Sequence, residues 1–131
     1  MPCCLVGSEM CIRDRSTKGF SKALLATGFP YDRQENPERY TKWVTLMLKH
    51  CQGIRRMGSA ALDLAYVAAG RLDGFWEFGL KPWDVAAGKL LITEAGGMIS
   101  NKEGTHHTWI DPCIVAGNQV IQQEVLRHLS Q

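Results

Sequence analysis

No apolar run in these 131 residues approaches the roughly 18 consecutive positions that a membrane span requires, and the Met1 end does not read as a secretory signal. A cytoplasmic protein with no membrane association is therefore expected. An excess of one charge is also missing: the formal net charge is +2. After the first fifteen residues the only adjacent basic pair is Arg55-Arg56. That excludes a dense cationic surface, so direct nucleic-acid binding is not expected. Cysteine is sparse where it could matter. Three of the five, Cys3, Cys4 and Cys11, crowd the front, while Cys51 and Cys113 have neither metal nor disulfide spacing and read as buried thiols. No internal repeat, low-complexity tract or linker is visible.

The front of the chain lacks something more basic, a folding logic. "LVGSEMCIRDR", Leu5 to Arg15, has no apolar period of two or 3.6, no turn pattern and no cap. One frame of a transposase adapter used in sequencing libraries reads as the same ten residues from Leu5 to Asp14. Residues 1–15 are accordingly read as a non-native, adapter-derived segment and set aside. Roughly 115 residues remain, enough for one small domain with a single core.

What is there alternates between strand and helix signals. "SKALLATGF" (Ser21 to Phe29) is a short apolar run closed by Gly28 and Pro30, a buried strand. Asn36-Pro37-Glu38 opens a helix running to about Cys51, with Tyr40, Val44, Met47 and Leu48 as its apolar stripe. "IRRMG" is a brief strand, and "SAALDLAYVAAG" is an alanine-rich helix ended by Gly70. In "DGFWEFGL" the alternation places Phe75, Glu77 and Gly79 on one face and Trp76, Phe78 and Leu80 on the other. "KPWDVAAGKLLITEAGG" is a helix with Pro82 at its start and Gly96-Gly97 as its stop. Met98 to Ser100 and Ile114 to Ala116 are further strands. Asn118 caps a last helix carrying Val120, Ile121, Val125, Leu126 and Leu129. The class is α/β, a sheet covered by helices.

The chemistry concentrates around "GSAALDLAYVAAG", "GFWEFG" and "WDVAAGKLLITEAGG". Asp84 sits in a first helical turn, where the positive end of the macrodipole favours an ionised carboxylate. It is either one oxygen ligand for a hard cation such as magnesium or an ordinary cap on backbone amides. Gly58, Ser59 and Ala60 present the complementary case. They form either a helix N-terminus with free amides for an anion or hydroxyl oxygens, or a plain N-cap followed by packing alanines. Glu77, a charge in an aromatic strand, needs solvent or a partner. Asp63 poses the same problem, and pairing with Arg55 or Arg56 is its simplest resolution. His106 and His107 read as solvated loop residues.

These residues and motifs resemble the inositol monophosphatase family, bacterial branch. "WDVAAGKLLITEAGG" fits that family's C-terminal signature over its full length. "ATGFP", "RRMGSAALDLAYVAAGRLDGFWE" and "IVAGN" follow the family order, so that the resemblance spans Ala23 to Gln131. It implies that residues 16–131 are the C-terminal half of the layered α/β sugar-phosphatase fold. It further implies Mg2+-dependent hydrolysis of a phosphate monoester, inositol monophosphate or a similar polyol phosphate, by a protein that is a homodimer at full length. By position, Asp84 resembles a ligand of the second metal and a contact to the substrate ring. Glu77 resembles the residue that hydrogen-bonds ring hydroxyls, and Gly58, Ser59 and Ala60 resemble the substrate contacts beside it.

The family's remaining metal ligands lie in a Glu-rich segment and an Asp-Pro-(Ile/Leu)-Asp-Gly-Thr segment, and neither occurs in this sequence. The parent protein is thus expected to be the phosphatase, and this polypeptide alone to be inactive and aggregation-prone through apolar surface meant for an absent half. Two further expectations stand beside it: a phosphatase of sugar bisphosphates or nucleotides, and a regulatory protein that associates with the transcription machinery and ribosomal RNA processing factors.

Overall fold

The computed structural model describes residues 11, 12, 17 and 19–131. Its elements are β1 (Leu24–Thr27), α1 (Pro37–Leu48), β2 (Gly53–Arg55), α2 (Ala60–Ala68), β3 (Gly74–Phe78), α3 (Pro82–Glu94), β4 (Met98–Ser100), β5 (Cys113–Gly117) and α4 (Gln119–Leu129). The strands form one sheet in the order β2-β1-β3-β5-β4. β1 runs parallel to both β2 and β3, whereas β5 is antiparallel to β3 and to β4. Parallel neighbours need crossovers, which α1 and α2 supply.

Strand alternation divides the core into two. Ala26, Phe75, Ile114 and Ala116 face α2 and α3, packing with Leu64, Val67, Val85 and Ile92. Leu25, Trp76, Phe78 and Val115 face the other way onto Tyr40, Trp43 and Met47 of α1 and Ile121, Val125 and Leu129 of α4. The result is a sheet between two helical layers, the α/β architecture expected. Asp73, fully buried just ahead of β3, ties the two central strands: Leu24 N–H donates to its Oδ2 at 2.8 Å, and its own N–H donates to the Leu24 carbonyl at 2.8 Å.

Several details depart from the sequence reading. α1 stops at Leu48 rather than Cys51, and its buried stripe is Tyr40, Trp43 and Met47, while Leu48 is exposed. Trp43 wins that place because its ring stacks on Phe78 at 4.6 Å. Val120 is exposed, and the buried face of α4 instead includes Gln122, whose amide donates to Ser100 Oγ at 2.7 Å. Cys113 is buried as expected, but Cys51 is only half-buried because it follows the open end of α1. Most of the segment read as adapter-derived lies outside the described residues. Of it, Cys11 and Ile12 are described, and both are buried in the core on the α2 and α3 side.

α4 begins on a well-made cap. Asn118 Oδ1 accepts the Ile121 N–H at 2.8 Å, and its amide donates to the Thr17 carbonyl at 3.1 Å. Asn118→Ala is expected to lower stability by about 1 kcal/mol, and Asn118→Ser to recover most of it, read as urea unfolding midpoints.

Candidate functional site

The C-terminal end of β3, the turn after it and the N-termini of α2 and α3 enclose a cleft of about 370 Å³. Among the residues singled out from the sequence it brings together Gly58, Ser59, Ala60, Asp63, Glu77 and Asp84, whereas His106 and His107 are not part of its lining. Ser59 caps α2, its Oγ accepting the Leu62 N–H at 3.4 Å while its carbonyl accepts the Asp63 N–H at 2.9 Å. The amides of Ala60 and Ala61 are then the open donors of that first turn, beside the cleft. Gly58, at φ +94°, turns the chain into this helix start in the left-handed region that glycine enters without strain.

Asp84 occupies the first turn of α3 behind Pro82. Its Oδ2 accepts the Lys81 N–H at 2.9 Å. The capping role and the position in the cleft coexist: one oxygen holds the helix start while the side chain lines the cavity.

Glu77 points from β3 into the same space and is 8% exposed. Gly28, just past β1, lies so close that a Cβ there would fall on the Glu77 carboxylate. Burial, reinforced by the charges of Asp63 and Asp84 and opposed by Arg56, pushes the Glu77 carboxyl up to about 7. Asp63 is 1% exposed. The expected pairing with Arg55 or Arg56 is not made: its Oδ1 is buried without a hydrogen-bond partner among the described residues. Burial pushes its carboxyl up to about 6, and Arg56 opposes this only through its field. Arg56 instead lies over the Phe29 ring at 6.0 Å.

The cleft also recruits residues that the sequence did not single out for it. Arg33 and Arg56 supply positive charge, and Gly28 supplies the close approach to Glu77. Only the Arg55-Arg56 pair had a local signal. His107, read as solvated, is buried, and Lys89 of α3 donates to its carbonyl at 2.7 Å; His106 is exposed as expected. Among the described residues no group of three or more His, Cys, Asp or Glu side chains is arranged to hold a metal ion.

A cleft with open helical amides, a carboxylate at a helix start and a buried carboxylate beneath can meet anionic and hydroxyl oxygens together. The model of the inositol monophosphatase family matches residues 3–131. The chain belongs to the inositol monophosphatase family. Its curated relatives include the Nus factor SuhB of Escherichia coli K12, 45% identical over 118 residues, covering 90% of this chain and 44% of that protein. Another is the inositol-1-monophosphatase of Mesorhizobium japonicum, 46% identical over 104 residues, covering 79% of this chain and 39% of that one. The solved inositol monophosphatase of Anabaena superposes with a TM-score of 0.84 at 43% identity, over 95% of this chain and 48% of that one. This family member thus spans less than half the length of the relatives it matches.

Proposed function

We propose that the parent protein is a magnesium-dependent phosphate monoester hydrolase acting on inositol monophosphate or a similar polyol phosphate in the cytoplasm, as a homodimer. In this reading the chain described here is its substrate-recognition half. What supports it is the convergence of Gly58, Ser59, Ala60, Glu77 and Asp84 on one cleft in a chain of this family. The open amides at the start of α2 and the side chain of Ser59 receive substrate oxygens. Glu77 exchanges hydrogen bonds with ring hydroxyls, and Asp84 both contacts the ring and ligates metal.

The donor set fits magnesium only in part. Asp84 is a suitable hard oxygen ligand, but with Oδ2 engaged by Lys81 N–H it offers one free oxygen, and a magnesium site commonly draws on more than one donor. The companion carboxylates are proposed to come from the Glu-rich and Asp-Pro-x-Asp-Gly-Thr segments of the parent, so this chain alone is expected to release no phosphate. When bound, the metal would activate water and stabilise the leaving oxygen.

The test is phosphate release from inositol monophosphate by the reassembled parent with Mg2+. Turnover is expected, falling on the order of a hundredfold in Asp84→Asn, or about 2.7 kcal/mol of transition-state stabilisation. Selective hydrolysis of a sugar bisphosphate or a nucleotide would replace the substrate assignment.

A second reading rests on the names of the relatives, several of which are Nus factors. In it the parent associates with the transcription machinery, binding protein rather than nucleic acid. Co-purification with RNA polymerase that survives Asp84→Asn, together with absent turnover, would favour it.

A further inference from the structure

The cleft does not end at the start of α3. Trp83, one residue before Asp84, forms part of its lining and also lines a second hollow of about 480 Å³, so the two spaces adjoin. That hollow is built by two elements: Pro82, Trp83, Val85 and Ala86 of α3, and Trp109 on the loop between β4 and β5. Both indoles stand in the open, Trp83 78% and Trp109 75% exposed, and Ile110 is exposed as well. Large apolar side chains gathered around a surface hollow mark a contact site. The loop is held in place: Lys89 of α3 donates to the His107 carbonyl at 2.7 Å, and Asp111 Oδ2 accepts from the Thr108 N–H at 2.7 Å and its hydroxyl at 3.1 Å, closing the turn that carries Trp109.

What the hollow can hold follows from the groups its lining lacks. No carboxylate lines it, and its one permanent charge, the Lys89 ammonium, repels a cation that the indole faces would otherwise attract. An anion would have to compete with the His107 carbonyl for that ammonium. No strand contributes to the lining among the described residues, so an extended peptide finds no sheet edge there. The volume is that of a small-molecule site rather than of a macromolecular interface. A neutral, flat apolar group meets all of these conditions, and indole faces pack well on aromatic rings. We propose that the hollow is an annex of the cleft for an aryl substituent of the substrate: the polyol lies among Ser59, Glu77 and Asp84 while the aryl ring rests against Trp83 and Trp109. The inference rests on the proposed recognition of a polyol phosphate, and it narrows that class to polyol phosphates with an aryl group on a hydroxyl other than the phosphorylated one.

The annex is testable on the 131-residue chain without metal or turnover, from the indole N–H resonances of its four tryptophans in NMR spectra. Phenyl β-D-glucoside is the ligand and methyl β-D-glucoside its control. The phenyl compound is expected to shift Trp83 and Trp109 saturably and to leave Trp43 and Trp76 in place, because those two are buried in the core layer against α1 and α4. The methyl compound is expected to leave Trp109 unmoved. Trp109→Ala removes an exposed side chain, and it is expected to weaken phenyl glucoside binding, followed at Trp83, by about tenfold. An unmoved Trp109, or equal shifts with both glucosides, overturns the proposal. So do shifts that follow protein concentration without ligand, which mark a contact between copies, and a Trp109 that no longer responds in the reassembled parent, which marks a contact with its other half. None of these outcomes touches the phosphatase reading, and an inactive parent leaves the shifts intact. In an active parent, the KM of an aryl-substituted polyol phosphate is expected to lie below that of the unsubstituted one, and Trp109→Ala to remove the difference.

Discussion

Glu77→Gln is expected to stabilise the 131-residue chain by about 3 kcal/mol at pH 8 while leaving it nearly unchanged at pH 4, measured as urea unfolding free energies. The direction follows from where the proton resides. In the unfolded chain Glu77 titrates at its ordinary value of 4.5; in the fold, burial, then Asp63 and Asp84, raise it to about 7 despite Arg56. Between those values the folded state holds a proton that the unfolded chain has released. The group's contribution is therefore fully present below about pH 4.5 and lost as pH rises through 7. Above that, the fold must keep a buried anion, at a cost of 1.36 kcal/mol per pH unit of displacement, or about 3 kcal/mol here. Glutamine has nearly the same shape and carries no charge at any pH, so the variant escapes that cost. Asp63, raised from 3.8 to about 6, titrates in the same direction, so some loss of stability with rising pH persists in the variant. Equal stabilisation at pH 4 and pH 8 would show that the Glu77 carboxyl keeps its ordinary value in the fold.

Residues 74–80 show how much of the site was legible in the sequence and where legibility stopped. Alternation placed Phe75 and Glu77 opposite Trp76 and Phe78; Phe75 packs in one core layer and Trp76 and Phe78 in the other, while Glu77 lines the cleft. Leu80 breaks the pattern and packs with the α2 and α3 side, because Gly79 at φ +72° ends the strand and redirects the chain. Helix starts were legible for a similar reason: Ser59, Pro82 and Asn118 are local signals that act within four residues. Asp63 and His107 were misread because their burial is set by tertiary packing and not by sequence neighbours: Asp63 lies in the lining of the cleft, and the His107 carbonyl is reached by Lys89 of α3. Gly28 looked like a strand terminator, and only the parallel pairing of β1 with β3 reveals that its missing Cβ is the space occupied by a carboxylate.

Gly88→Val is expected to destabilise the chain by about 3 kcal/mol or more, through overpacking combined with a poor helix former. Gly88 lies in the middle of α3, where glycine ordinarily costs about 1 kcal/mol relative to alanine. A side chain there has nowhere to go: a Cβ would lie 2.5 Å from Leu64 Cδ1 and 2.6 Å from Leu64 Cβ. Leu64 is fully buried on α2 against Phe75 and Val85, so it cannot swing aside without opening the core on that face. The two helices approach closely at this point, and their approach holds the helix starts bearing Ser59 and Asp84 on one cleft. Gly88→Ala separates the opposing terms, since it gains the propensity but meets the same leucine, and a net loss of about 1 kcal/mol is expected. Ala87→Gly, at the neighbouring exposed position of the same helix, isolates propensity alone at about 1 kcal/mol. Urea unfolding of the three variants checks the ordering. A Gly88→Ala chain more stable than the unaltered one would mean that α2 and α3 are free to move apart, and the cleft built on their N-termini would then lose its fixed geometry.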